Sequence, residues 1–202
     1  MKLYFAPGAC SLAPHILLNE AGYKYDTEKV DLATHKTAGG GDFYAANPKG
    51  YVPALTLDDG QLLTEVQVIL QYIADHKPQA NLLPKPGTIE RYRALEWLNF
   101  IATELHKGFS PLFRPTTPED FKTAVRQTLA KKLELLDKHL AGKQFILGNA
   151  FSAVDAYAFT ILRWAHFTKV DLAPYANINA YTARVLERPQ VKATMEQEGI
   201  KR

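Results

Sequence analysis

"VPALTLDDGQLLTEVQVILQYIADHK", residues 52–77, decides the fold. Asp59-Gly60 is a strong hairpin turn signal, and the residues on either side of it, 52–64, read as two short antiparallel strands. The stretch from Glu65 to Lys77 is an amphipathic helix, and Pro78 ends it. Pro53 opens a strand just after a turn. A cis bond there would leave the Val52 backbone unpaired at a sheet edge, where a peptide-like ligand can add as a strand. An ordinary trans proline is the commoner case. Thr64-Glu65 stands where a strand gives way to a helix. Glu65 either takes a ligand ammonium or simply stabilises the helix dipole.

Working outward, "KLYFA" (2–6) reads as a buried strand and "SLAPHILLNEAG" (11–22) as a helix stopped by Gly22. "YDTEKVDL" (25–32) alternates like a strand. "THKTAGGGDFYAANPKG" (34–50) reads as loop with one helical turn. The proline-rich "PQANLLPKPGTIE" (78–90) is a linker, and everything beyond it is helical: 88–108, 118–140, 153–168, 175–187 and 189–198. Two domains follow, at 1–80 and 88–202, joined by 81–87. "FSAVDA" (151–156) matches a capping box, with Ser152 at the cap and Asp155 reaching back.

The apolar share of 47% and charged share of 22% are ordinary for a globular chain of 202 residues. No segment reaches the ~18 apolar residues of a membrane span, and the N-terminus lacks a secretory pattern. Residues 1–80 carry net −3 and residues 81–202 net +6, with basic residues scattered among acids. That argues against a nucleic-acid face, which needs a denser stripe. The single cysteine cannot staple the fold, so a reducing cytosol is the expected compartment.

That cysteine, Cys10, lies in "APGACSLAPH" (6–15), at the start of a helix. Helix-start amides favour a thiolate there, whereas the usual fate of a lone cysteine is burial as a small hydrophobe. Ser11 offers a second polar group or a plain helix cap. Asn99, Thr103 and His106 are spaced to share one helix face, and His106 and Lys107 read as cations at a helix C-terminus. The histidines show no ligand spacing with each other or with Cys10, so no metal site is expected.

In order, these pieces resemble a cytosolic glutathione S-transferase. The details are similar to the bacterial beta class: "PGACSLAPHI" (7–16), "NPKGYVPAL" (47–55), "LLTE" (62–65), "WLNFIATELHKGFSPLF" (97–113) and the box at 152–155. The resemblance runs end to end. It implies an α/β thioredoxin-like N-terminal domain followed by an all-α domain that builds an electrophile pocket. It also implies glutathione as co-substrate, a small hydrophobic electrophile, no further cofactor, a cytoplasmic location and a homodimer.

Residue by residue, the resemblance implies that Val52 pairs through its backbone with the cysteinyl unit of glutathione, before a cis Pro53. Glu65 and the N–H of Val66 would hold the γ-glutamyl end. His35 or Lys36 would approach the glycine carboxylate. Cys10, with Ala9 beside it, would face the glutathione sulfur, and Ser11 and His106 would help Cys10 in catalysis. Lys107 would reach in beside His106, and Asn99 and Thr103, on the same stripe, would line the ligand or the subunit interface. Two positions depart from the family: Val66 lacks the hydroxyl often found there, and His35 replaces a lysine, with Lys36 adjacent. The reaction is expected to be attack of the glutathione thiol on an electrophile. The alternatives are a thiol–disulfide or peroxide reaction through a Cys10 mixed disulfide, and a non-catalytic carrier.

Overall fold

In the computed structural model, which describes Met1–Ile200, β1 (Lys2–Phe5) runs parallel to β2 (Asp26–Asp31), as the intervening helix α1 (Leu12–Glu20) requires. Gly22, with φ +65°, ends that helix in the left-handed conformation, and the Tyr23 N–H reaches back to Leu18 O at 3.0 Å. β4 (Ala54–Thr56) is antiparallel to β1, with Leu3 opposite Leu55, and β5 (Leu62–Thr64) returns antiparallel to β4. Gly60, with φ +84°, turns that hairpin. A short β3 (Lys36–Thr37) pairs with β2, giving the sheet order β3-β2-β1-β4-β5. The stretch 34–50 therefore holds a strand as well as the helical turn α2 (Phe43–Ala46), whose Asp42 cap accepts from Tyr44 N.

Alternation along β1 puts Leu3 on one face and Tyr4 on the other. α1 packs against α3 (Val66–Asp75), and both send fully buried side chains inward: Leu12, Ile16, Leu17, Ile69, Leu70 and Ile73. Tyr4, Ala6, Val30, Phe43, Val52 and Ala54 form a second cluster, with Ala9 packed on it.

The chain divides into two compact units. The first joins Met1–Leu83 to the C-terminal stretch from Arg188, and the second is Pro84–Glu187. This corrects the helical domain expected over 88–202, because α10 (Pro189–Gln197) packs on α1 and belongs to the first unit. The helix buries Val191, Thr194 and Met195, and polar contacts tie this stretch to α1. Arg188 makes two bonds of 2.7 Å to the Glu20 carboxylate, and the Asn19 amide donates to Thr194 Oγ1 at 2.7 Å and to Gln197 Oε1 at 3.0 Å.

In the second unit, α4 (Ile89–Phe100) is capped by Thr88 and runs through a π-helical turn, Ile101–His106, into α5 (Lys107–Phe113). The helix expected to stop at 108 therefore continues five residues further. Gly108 is a site of close packing, not a stop: a Cβ there would lie 2.8 Å from Leu129 Cδ2. Leu129 belongs to α6 (Glu119–Leu140), whose Leu129, Leu133, Leu136 and Leu140 form its buried stripe. α7 (Ala153–Leu162) is buried on all sides and opens with the complete Ser152–Asp155 capping box. The helix expected over 153–168 breaks at Arg163–Trp164 before α8 (Ala165–Thr168). α9 (Ala176–Leu186) completes the unit, held by Asp137 of α6, which accepts from the Ile178 N–H at 2.9 Å.

Candidate active site

After β1 the chain turns at Pro7-Gly8, and the Ala9 N–H closes the turn on Ala6 O at 3.0 Å. Cys10 follows, half-buried, and its thiol donates to the carbonyl of Val52 at 3.2 Å. The Val52-Pro53 bond is cis. Val52 is buried and precedes the ladder of β4, which lies between β1 and β5. Val52 thus lies outside the ladder because it comes before the strand, not because β4 is a sheet edge as the sequence suggested. The fold brings Cys10, Ala9, Val52 and Pro53 together from two separate stretches of chain.

Ser11 is turned away from this place. It is 0% exposed, its backbone is already helical, and its side chain makes no cap bond. Its Oγ accepts from the Ala6 N–H at 3.1 Å and donates to Ala6 O at 3.2 Å. The hydroxyl stitches the end of β1 to the start of α1, so both the ligand-facing role and the cap role are corrected. Ser11→Ala should cost about 1–3 kcal/mol of stability, read by urea denaturation, and leave the dissociation constant of any ligand at Cys10 unchanged.

The Cys10 loop is also held from its far side. Glu198, just beyond α10, accepts from the Gly8 N–H at 3.0 Å through Oε2 and lies 2.7 Å from His15 Nδ1 through Oε1. Both side chains of the Glu198–His15 pair are buried, at 0% and 2% exposure. His15 packs edge-on to Tyr25, whose hydroxyl donates to Asn19 Oδ1 at 2.7 Å. Burial raises the Tyr25 phenol well above its ordinary range. Nothing near residue 198 in the sequence signals this contact, and the sequence reading missed it.

Glu65 sits at φ +72°, outside the usual range for a non-glycine residue, and its side chain makes no cap bond to α3. The carboxylate instead meets Lys49 Nζ at 3.1 Å, and the same ammonium donates to Thr64 Oγ1 at 3.0 Å. Lys49 was not singled out from the sequence, where it lies within the stretch 34–50 read as loop with one helical turn. Val66 is buried in the core of α3.

His35 is half-buried at φ +53°, and its ring stacks on Tyr44 with centroids 4.5 Å apart. Its Nδ1 is buried without a hydrogen-bond partner. Lys36, next to it in β3, is exposed.

The remaining candidates belong to the second unit. His106 and Lys107 do not end a helix, so a helix-terminal dipole does not act on them. The π turn also splits the stripe expected from spacing. Asn99 and Thr103 are exposed, with the Thr103 hydroxyl bonded to Asn99 O at 3.0 Å, whereas His106 is half-buried. His106 Nδ1 lies 2.7 Å from the Tyr157 hydroxyl, and its ring meets Trp164 edge-on at 4.9 Å. Among the described residues, no three His, Cys, Asp or Glu side chains gather as a metal ion would require, and no helix is long and apolar enough to cross a membrane.

Residues 8–76 match the description "Glutathione S-transferase, N-terminal domain", and residues 100–189 match "Glutathione S-transferase, C-terminal domain". The chain is 50% identical over 201 residues to glutathione S-transferase GstA of Escherichia coli O157:H7, covering all of both. Two solved structures cover all of both chains at a TM-score of 0.96. One is a sphingomonad glutathione S-transferase complexed with glutathione, 47% identical, and the other is the bacterial beta class glutathione S-transferase of Sphingomonas chungbukensis, 48% identical.

Proposed function

The chain belongs to the glutathione S-transferase family, and from that premise we propose that it binds glutathione on its first unit and activates the glutathione thiol for attack on small hydrophobic electrophiles. The observation that carries the reading is the Cys10 thiol held on the Val52 carbonyl beside a cis Pro53. The cysteinyl unit of a glutathione lying along Val52 pairs with this same backbone, which puts the ligand sulfur beside Cys10 Sγ. Glu65 supplies the negative charge for the γ-glutamyl ammonium, and the N–H of Val66, an orphan of the first helical turn, remains for its carboxylate. His35 and Lys36 are assigned to the glycine carboxylate, with the unpartnered Nδ1 of His35 in support. His106, Lys107, Asn99 and Thr103 enter on family likeness.

In the reaction the thiol gives up its proton to water, and the glutathione sulfur forms a bond to an electrophilic carbon; where addition occurs, the displaced electron pair takes up a proton from water. A halide leaves with the bonding pair where substitution occurs. A glutathione-bound relative supports the ligand. The homodimer and the cytoplasmic location are part of the same reading, supported by the family and by the single cysteine.

A second reading rests on the half-buried Cys10 itself. Its thiolate attacks a glutathione mixed disulfide and releases the reduced partner. A second glutathione thiolate then attacks the Cys10–glutathione disulfide, freeing Cys10 and leaving oxidised glutathione.

Cys10→Ala separates the two. Conjugation of a chlorinated nitrobenzene should persist within about tenfold, ~1.4 kcal/mol in the barrier, while any disulfide reduction vanishes. Loss of conjugation by a hundredfold would instead make Cys10 an activator of the glutathione thiol, and disulfide reduction that persisted would overturn the second reading. A wild type that binds glutathione and shows neither reaction is a carrier.

A further inference from the structure

We propose that Lys49 and Glu65 together form a clamp for a zwitterionic amino-acid head group, with Lys49 the residue that reads its α-carboxylate. The proposal rests on the glutathione reading above and deepens it. Glu65 occupies the capping position of α3 yet gives its helix no side-chain bond. Its carboxylate is turned to Lys49, 3.1 Å away, and the two charges are 65% and 55% exposed. An exposed pair of this kind contributes little and opens readily. Opposite charges side by side are also what the head of a γ-glutamyl peptide requires, since its ammonium and carboxylate share one carbon atom.

Lys49 is presented by a built loop and is not a loose surface lysine. The Asn47 side chain, 1% exposed, accepts from the Lys49 N–H at 3.2 Å and donates to Tyr51 O at 2.8 Å, while the Gly50 N–H bonds Asn47 O at 2.8 Å. Gly50 stands at φ +68°, and a Cβ there would come within 2.5 Å of Tyr44 Cε1. This loop leads directly to Val52, on which the Cys10 thiol rests. Two grips on one peptide ligand are therefore set by a single stretch, Lys49 at its start and the Val52 carbonyl at its end.

When the ligand ammonium takes Glu65, Lys49 loses its partner within one side-chain length of the incoming carboxylate. The exchange replaces one internal ion pair with two across the interface. Val66 strengthens the assignment. It is 6% exposed and aliphatic, so no hydroxyl at that position competes for the carboxylate.

The test is calorimetric titration of wild type, Lys49→Met and Lys49→Arg with three ligands. These are glutathione, 4-aminobutyryl-Cys-Gly (no α-carboxylate) and glutaryl-Cys-Gly (no ammonium). Lys49→Met should weaken glutathione about fivefold and leave 4-aminobutyryl-Cys-Gly unchanged or tighter, because the internal competitor for Glu65 is gone. Lys49→Arg should keep the wild-type preference for glutathione over 4-aminobutyryl-Cys-Gly. Equal weakening of both ligands by Lys49→Met, or weakening of neither, would overturn the clamp while leaving glutathione binding intact. A wild type that fails to bind glutathione would overturn the functional reading beneath it and the clamp with it.

Discussion

Glu198→Ala should lower the thermal midpoint by about 10 °C and weaken glutathione binding, although residue 198 stands just beyond α10, far along the sequence from Cys10. The carboxylate is enclosed, and its two oxygens serve His15 Nδ1 at 2.7 Å and the Gly8 N–H at 3.0 Å. Removing it strands His15 among the rings of Phe5 and Tyr25 and takes a buried acceptor from Gly8. Breaking a buried pair by deleting one partner costs about 3–5 kcal/mol. For a chain of this size each kcal/mol shifts the midpoint by about 2–4 °C. Glu198→Gln keeps the shape and one acceptor oxygen, so it should lose less than half as much. The binding effect follows from position, since Gly8 and His15 bracket Cys10 on the same loop and helix. Glutathione affinity in Glu198→Ala should therefore fall by a few-fold at a temperature where the variant is fully folded. An unchanged midpoint would mean that the remaining ties of α10, Arg188 to Glu20 and Asn19 to Thr194, hold the C-terminus unaided.

Local chemistry was legible in the sequence, and long-range chemistry was not. The hairpin at Asp59-Gly60, the Gly22 stop and the Ser152–Asp155 box each need only neighbouring residues, and each formed where its residues stand. The cis Val52-Pro53 bond was legible as one option for the same reason, since a proline after a turn is a local signal. Ser11 shows the limit. As a residue type it suits a helix cap, but the turn before it brings the Ala6 peptide within reach, and a helical backbone at Ser11 leaves no cap geometry. The π turn at Ile101–His106 leaves no mark on composition, because it changes the winding and not the residues. Lys49 and Glu198 were missed because their meaning lies in partners 16 and 183 residues away.

Asp155→Ala should be as costly as the loss of Glu198, and its conservative variant should reveal a titration. Asp155 is 0% exposed and gathers four bonds: from the Ser152 N–H at 2.8 Å, Ser152 Oγ at 2.7 Å, the Ile146 N–H at 2.9 Å and the Tyr181 hydroxyl at 3.2 Å. It thereby starts α7, ties the 146 loop to that start and anchors α9 through Tyr181. Alanine abandons all four donors in the core, at about 3–5 kcal/mol. Burial outweighs the hydrogen bonds and pushes the carboxyl up from 3.8 to about 6. The folded state therefore holds this proton more tightly than the unfolded chain. The stability this adds is fully present below the unfolded value and is lost as pH rises through about 6. Asparagine at 155 cannot titrate, so the advantage of wild type over Asp155→Asn should be larger at pH 5 than at pH 7.5, by about 1–1.5 kcal/mol. Urea denaturation of both proteins at the two pH values measures it. A difference that grew towards pH 7.5 would mean that the four donors, and not burial, govern this carboxylate.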